Sequence, residues 1–342
     1  MKKQWILPIL LLFLCACSRR DGEVVYLYNW GEYLDPGIKE DFYRETGIKV
    51  IEDNFVQNED MYMKISTNPT QYDLVIPSDY MVERLIKEDY LDTIDYSKLE
   101  NFKYIHQDFQ NMDYDPENKY TIPYFWGTVG IIYDPEMTGR EINSWKDLFT
   151  EEFKDEIIMM DSMRDTIGVA LLKNGYSMNS RDPEELEVAR QDLIRQKEWV
   201  LAYLVDETKS LMVNKEAAIA VMYSGDAMIA LDENPNLKYI VPEEGTNLWF
   251  DCLTLLKGGR NKDNAMKFID YLLRPDVAAK NSRFVGYSTP NDKALEIMGD
   301  DFINNPVYHP DLTKIKHLET FRDPSDFIED YEDIWADLKA AK

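Results

Sequence analysis

Three histidines and three cysteines in 342 residues leave little room for metal or thiol chemistry. His106, His309 and His317 are too dispersed to match any metal-site spacing. Cys15 and Cys17 stand near the N-terminus, and Cys252 is alone in the rest of the chain, so no disulfide forms within it. Also absent are G-x-S-x-G, a Walker loop, H-E-x-x-H and a Gly-rich dinucleotide loop. The only Gly-Gly pair, in Lys257-Gly258-Gly259-Arg260, is turn chemistry. Carboxylates are abundant, 64 Asp plus Glu, so a pair of them does not by itself argue for a hydrolase. Nothing here supports an enzyme, and no cofactor or metal is called for.

Positive charge is scarce as well. Lys plus Arg number 38, giving a net charge of −26, or −28 once Lys2 and Lys3 are removed (−26 − 2). Such a field opposes nucleic acid and anionic surfaces and favours cationic ligands, so no nucleic-acid partner is expected. The one long apolar run is at the start. MKKQWILPILLLFLCACS has a charged beginning, an apolar stretch from Trp5 to Leu14 and a small-residue exit, which makes it a secretory signal too short for a comfortable membrane span. Its end, Leu14-Cys15-Ala16-Cys17, resembles a bacterial lipobox, in which the cysteine is acylated. Cys17 fits better than Cys15, which follows the bulky Leu14; the alternative is an ordinary leader cut near Ala16 or Ser18. The expectation is an exported protein, lipid-anchored to the cell envelope in the periplasmic space.

What the chain does contain is alternation of short β-rich runs with helical patterns, the mark of an α/β architecture. Val24–Asn29 reads as a strand, and Pro36–Thr46 as a helix with Asp35 as cap and Pro36 at its first position. Tyr72–Ile76 reads as a buried strand and Ile157–Met160 as a strand. Asp182, Pro183 and Glu185 open a long helix, with Glu185 in capping-box position, expected to run to about Tyr203. Two long extended runs, 121–133 and 248–256, bracket a self-contained α/β block. The chain therefore leaves one lobe, builds a second and returns, creating a hinge and a cleft. The expected boundaries are a signal peptide at 1–16, a tether at 17–23, one lobe from 24–126 plus 251–295, and another from 127–250 plus 296–342.

At the carboxyl ends of predicted strands, where open α/β sheets bind ligands, aromatic and acidic residues recur together. They are Trp30-Gly31-Glu32-Tyr33, Ser78-Asp79-Tyr80, Tyr223-Ser224-Gly225-Asp226 and Trp249-Phe250-Asp251, with Asp161-Ser162-Met163-Arg164-Asp165 lacking the aromatic. Aromatic faces attract ammonium groups and pack against methylenes, while carboxylates supply charge-assisted hydrogen bonds. A flexible aliphatic di- or triamine needs both. Plainer roles exist for most of these residues: Asp79 and Asp226 as N-caps, Ser162 and Asp165 as a capping pair, Trp30, Tyr33 and Tyr287 as packing. Asp251 resists such an account, because a carboxylate in mid-strand is neither cap nor turn, and no Lys or Arg accompanies it in NLWFDCLTLL.

The runs YNWGEY, ETGIKV, YDLVIPSDY, YTIPYFWGT, SWKDLF, LWFDCL, FIDYLLRPDVA and GYSTPN resemble, in this order, the bacterial spermidine/putrescine-binding proteins of ABC importers. The resemblance implies a two-lobed periplasmic-binding-protein fold, type II-like, with discontinuous domains joined by crossing strands. It also implies a monomer that closes on a polyamine and delivers it to permease subunits in the membrane. By the same resemblance Trp30, Glu32, Tyr33, Ser78 and Tyr80 contact ligand from one lobe, and Ser162, Asp165, Tyr223 and Trp249 from the other or from the crossing. Asp251 holds an amine and Tyr287 adds an aromatic wall. Two positions depart from the family's spermidine-binding members: Ser162 stands where they carry an acid, and Tyr223 where they carry Trp. Loss of one charge-assisted contact is worth about 1.5–3 kcal/mol. Asp161, next door in the chain, is expected to point elsewhere.

Overall fold

The computed structural model describes residues 23–341, so the predicted signal peptide, Cys17 and most of the tether lie outside the described residues. Eleven strands lie among the described residues: β1 Val24–Trp30, β2 Lys49–Phe55, β3 Leu74–Val75, β4 Leu91–Asp92, β5 Thr121–Tyr133, β6 Ile157–Met160, β7 Val200–Leu204, β8 Ile219–Tyr223, β9 Lys238–Ile240, β10 Thr246–Leu256 and β11 Leu318–Glu319. The main order is β2-β1-β3-β10-β5-β8-β6-β7. At each end the strands run parallel, β1 with β2 and β3, β6 with β7 and β8. Between them lie β5 and β10, antiparallel to each other and to their outer neighbours.

These two strands are the predicted long runs, and every residue in both is buried. Apolar side chains on both faces are what such a strand needs when it is covered on both sides. Strand β5 pairs with β10 from Thr121 to Thr128 and with β8 from Val129 to Tyr133, so it passes from one half of the molecule to the other at this point. Opposite the junction of Asp251 and Cys252 the register slips by one residue, leaving Tyr124 unpaired on β5. Each half has its own helices and, on one face of the sheet, its own core, while a larger cluster from Leu27 and Phe42 to Trp145 and Ile157 runs through both. Tyr28, Met61, Val75 and Phe250 pack on one side of the first, and Ile132, Ile158, Met212 and Ala220 on one side of the second.

The helix at Pro36–Thr46 starts as expected: Asp35 accepts from Gly37 N at 2.8 Å, and Gly47 closes it at φ +74°. The long helix also starts as expected, with Asp182 as cap and Pro183 at its first position, but it is shorter than expected. It ends at Gln196 rather than near Tyr203, and Val200–Leu204 become a strand parallel to β6. Val200, Leu201 and Tyr203 suit a strand, and the exposed edge of β6 offers a ladder that local helical pattern does not reveal. Nor does Glu185 complete a capping box: it accepts from the Ser180 hydroxyl, while Asp182 caps Glu184 N at 2.8 Å. Helices at Pro275–Val285 and Asp292–Met298 were not anticipated.

Candidate ligand site

Strand β10 keeps its alternation through the irregular register. Trp249 and Leu253 join one buried cluster, Phe250 and Cys252 another, so Asn247, Trp249 and Asp251 share a face. Asp251 is 6% exposed. Its Oδ2 accepts from the Tyr33 hydroxyl and its Oδ1 from Ser78 Oγ at 2.7 Å, and no Lys or Arg among the described residues pairs with it. Burial outweighs the two hydrogen bonds and pushes its pKa up to about 6. The carboxylate is thus held by neutral donors in a dry setting, an arrangement that leaves its charge to be balanced by something else.

The surrounding elements converge on it. Ser78 occupies the N-cap position of the helix Asp79–Lys87 yet makes no cap bond; its hydroxyl goes to Asp251 instead. Asn58, 4% exposed, braces it by donating to Ser78 Oγ at 3.1 Å and accepting from Ser78 N at 3.2 Å. Asp79 is not the cap expected of it. It is the first helical residue, and its Oδ2 accepts from Phe250 N at 3.2 Å, tying the helix to β10. Burial holds that carboxyl well above its ordinary range, with the Asp251 charge adding to the effect.

From Tyr33 a row of rings runs across to the second half. Tyr33 lies edge-on to Tyr287 with centroids 6.0 Å apart, Tyr287 to Trp249 at 4.8 Å, and Trp249 to Tyr223 at 6.0 Å. Trp30 joins at the near end, 6.5 Å from Tyr33. Two glycines make the row possible. A Cβ on Gly127 would lie 2.6 Å from Trp249 Cζ2, and one on Gly225 would lie 2.0 Å from Tyr287 Cδ1. Gly225→Ala is therefore expected to displace Tyr287 and weaken ligand binding by about fivefold, the lower end of what overpacking costs, measurable by calorimetry.

At the far end stands Asp165. Its Oδ2 accepts from Tyr223 OH at 2.9 Å and from Ser162 Oγ at 2.6 Å, while its Oδ1 is buried without a partner among the described residues. Ser162 is the N-cap of the helix Met163–Lys173 and accepts from Asp165 N at 3.4 Å, so the pair does both jobs at once. Burial raises the Asp165 pKa, opposed by these hydrogen bonds and by neighbouring Arg164.

The remaining predicted residues lie around this row. Tyr80 donates to Glu59 at 2.9 Å. Glu32 sits exposed in a left-handed turn at φ +56°, between Trp30 and Tyr33, and none of its side-chain atoms bonds to the cluster. Asp161 points away, paired with Lys339 at 2.6 Å. Asp226, expected as an N-cap, is the third residue of the helix Ser224–Glu233; Lys209 bonds it at 2.5 Å and Tyr287 OH at 3.3 Å. The indole nitrogens of Trp30 and Trp249 and the Asn247 carbonyl are buried without partners among the described residues.

Sequence reasoning missed Asn58, Asn247 and Arg164. Only Arg164 had a visible signal, its place beside Asp165. It is 7% exposed, 4.4 Å over Phe321 and 5.1 Å over Tyr331, and it donates to Arg322 O at 3.2 Å and Asn179 Oδ1 at 3.0 Å. Arg322 in turn grips Glu83 of the Asp79–Lys87 helix at 2.6 and 3.0 Å, and Asp323 N donates to the same carboxylate at 2.8 Å.

Two α/β lobes sharing two through-going strands, with a polar and aromatic row between them, define a two-lobed solute-binding protein. The chain belongs to the bacterial extracellular solute-binding protein family, which matches residues 37–310. Within it the chain is 36% identical over 335 residues to the spermidine/putrescine-binding periplasmic protein of Escherichia coli K12, covering 97% of this chain and 96% of that protein. The spermidine/putrescine ABC transporter substrate-binding protein PotD of Streptococcus pneumoniae has the same fold, with a TM-score of 0.85 at 39% identity, covering 93% of this chain and 99% of that one. The TpPotD lipoprotein of Treponema pallidum follows at a TM-score of 0.82 and 25% identity, covering 92% and 99%. The resemblance read from the sequence is thereby borne out, and the chain stands among transport binding proteins rather than enzymes.

Proposed function

We propose that the protein captures a polyamine, putrescine or spermidine, between its lobes and hands it to the permease subunits of an ABC importer. The observation that carries this is Asp251, a buried carboxylate oriented by two hydroxyls and matched by no cation among the described residues. An ammonium supplies the missing charge, and Trp249, Tyr287, Tyr33 and Trp30 flank the methylenes. Tyr223, Ser162 and Asp165 receive the other end, while Glu32, Ser78 and Tyr80 complete the wall on the first lobe. The lobes are taken as 24–126 plus 251–295 and 127–250 plus 296–342. Acylation at Cys17 would tether a monomer to the envelope, consistent with the Treponema relative being a lipoprotein.

An amino acid fits less well. Its carboxylate would need a cationic or amide donor, and the nearest buried guanidinium, Arg164, is occupied by Arg322 O, Asn179 and the Phe321 and Tyr331 rings. Ferric iron needs a ligand cluster, and no group of three His, Cys, Asp or Glu among the described residues is placed to hold a metal.

The test is calorimetric titration of ligand-stripped protein lacking residues 1–17 with putrescine, spermidine and ornithine. Saturable binding of a polyamine but not ornithine is expected; a folded sample silent to all three overturns the proposal. Closure also involves the Glu83–Arg322 bridge. Its side chains are 26% and 41% exposed, so Arg322→Ala should speed ligand dissociation only about two- to fivefold in stopped-flow, with association little changed.

A further inference from the structure

Each tyrosine of the aromatic row donates its hydroxyl to one aspartate: Tyr33 to Asp251, Tyr223 to Asp165 at 2.9 Å, and Tyr287 to Asp226 at 3.3 Å. The first two aspartates form no ion pair among the described residues. Asp226 does. Lys209 Nζ lies 2.5 Å from its Oδ1, and the two side chains are only 28% and 18% exposed. Lys209 is the second residue of the helix Thr208–Val213 and Asp226 the third of Ser224–Glu233, and these helices pack together. Tyr287 follows Gly286, which closes the helix Pro275–Val285 at φ +86°, and its ring lies against Gly225 and 4.8 Å from Trp249. The Lys209 ammonium therefore sits one carboxylate away from the hydroxyl edge of a ring in the row. A lysine side chain is four methylenes ending in an ammonium, the chemistry of one end of a diamine.

We propose that Lys209 is a built-in ammonium that closes the acidic position at Asp226 to ligand and so sets how many positive charges the row accepts. With Lys209 in place, two of the three carboxylates bonded to row tyrosines, Asp251 and Asp165, stay open to ligand ammonium groups. Its charge also repels a ligand cation, and in a half-buried setting that repulsion is screened less than at the surface. Lys209 is thus a specificity-determining residue that works by exclusion, the repulsive element that discrimination between similar ligands calls for. Without it, Asp226 offers a free carboxylate beside the Tyr287 ring, and the row takes a further positive charge. The gain is largest for the amine with the most ammonium groups.

This rests on the polyamine reading, and the experiment separates the two. Wild type, Lys209→Met, Asp226→Asn and the double variant are titrated with putrescine and spermidine, and ligand-free thermal unfolding confirms that each folds. Lys209→Met is expected to bind spermidine about fivefold more tightly, with a smaller gain for putrescine. Asp226→Asn leaves Lys209 uncompensated and should weaken both, while the double variant should return to within about twofold of wild type. A pair that merely braces Tyr287 predicts a loss in all three. Lys293→Met, which removes the same charge from the exposed Lys293–Glu296 pair, should change neither affinity. If Lys209→Met folds poorly, Lys209→Gln decides by the same sign. Loss or no change in the Lys209 variant, a spermidine gain no larger than that for putrescine, or an equal gain in Lys293→Met overturns the built-in ammonium while leaving the polyamine reading intact. A wild type that binds neither amine overturns both.

Discussion

Asp251→Asn is expected to weaken polyamine binding by about a hundredfold while leaving the ligand-free protein at least as stable as wild type at pH 7. The binding loss follows from removing one member of a desolvated charge pair, about 3 kcal/mol. The stability change has the opposite sign. Asp251 titrates near 6 in the folded protein against an ordinary 3.8, so keeping it ionised at pH 7 costs the fold ~3 kcal/mol, an upper bound because relaxation offsets part of it. Asparagine keeps an acceptor for Ser78 or Tyr33 and carries no charge to desolvate. Calorimetry and thermal unfolding of the ligand-free variant measure the two halves. A variant that loses binding and stability together would mean that Asp251 serves the fold, not the ligand.

Acidification should separate the same two properties in the wild type. Because the folded pKa is raised, the native state binds more protons than the unfolded chain between about pH 4 and 6, so this group's contribution to stability falls as pH rises through that window. Asp79 and Asp165, also raised by burial, act in the same sense, whereas His309, lowered by burial, acts against them. Ligand binding runs the other way, since an ammonium pairs only with the ionised carboxylate. From pH 7 to pH 5 the ionised fraction of Asp251 falls about tenfold, and affinity with it, with Asp165 steepening the loss. Titrations across this range should show proton release on binding near pH 6. Affinity flat from pH 7 to 5 would exclude Asp251 as an ammonium ligand.

How far the site was legible depended on whether a residue's role was local. Asp251 stood out because mid-strand position alone removes the ordinary explanations for a carboxylate, and the aromatic residues at strand ends declared themselves by the topology of α/β sheets. Asp79 and Asp226 misled, since a carboxylate near a helix start resembles a cap, and only packing reveals that Asp79 holds the Phe250 amide and Asp226 a lysine. Asn58 and Asn247 were silent for a related reason: an amide's use lies in what faces it, and its partners are distant in sequence. The same limit explains the fold. The strands β5 and β6 and the Asp35-capped helix follow from short-range pattern. The end of the long helix depended on a sheet edge that the local residues do not encode.

The two shared strands impose an order on how the molecule is made. Thr121 of β5 pairs with Thr254 of β10, over a hundred residues later, and β3 reaches β5 only through β10. The first-synthesised half therefore cannot complete its sheet until β10 has emerged, whereas the block between the two strands has its own strands in continuous sequence and waits only for the C-terminal helix Ile328–Ala340, which packs on its helices Met163–Lys173 and Pro183–Gln196. Joining such distant segments carries a loop-closure entropy that slows assembly and leaves strand edges bare in the meantime. Until then the early half would remain an unfinished template with β3 unpaired on one side. A chain arrested before residue 246 should thus expose it to proteases and holdase chaperones, while the following block already has its own strands in hand.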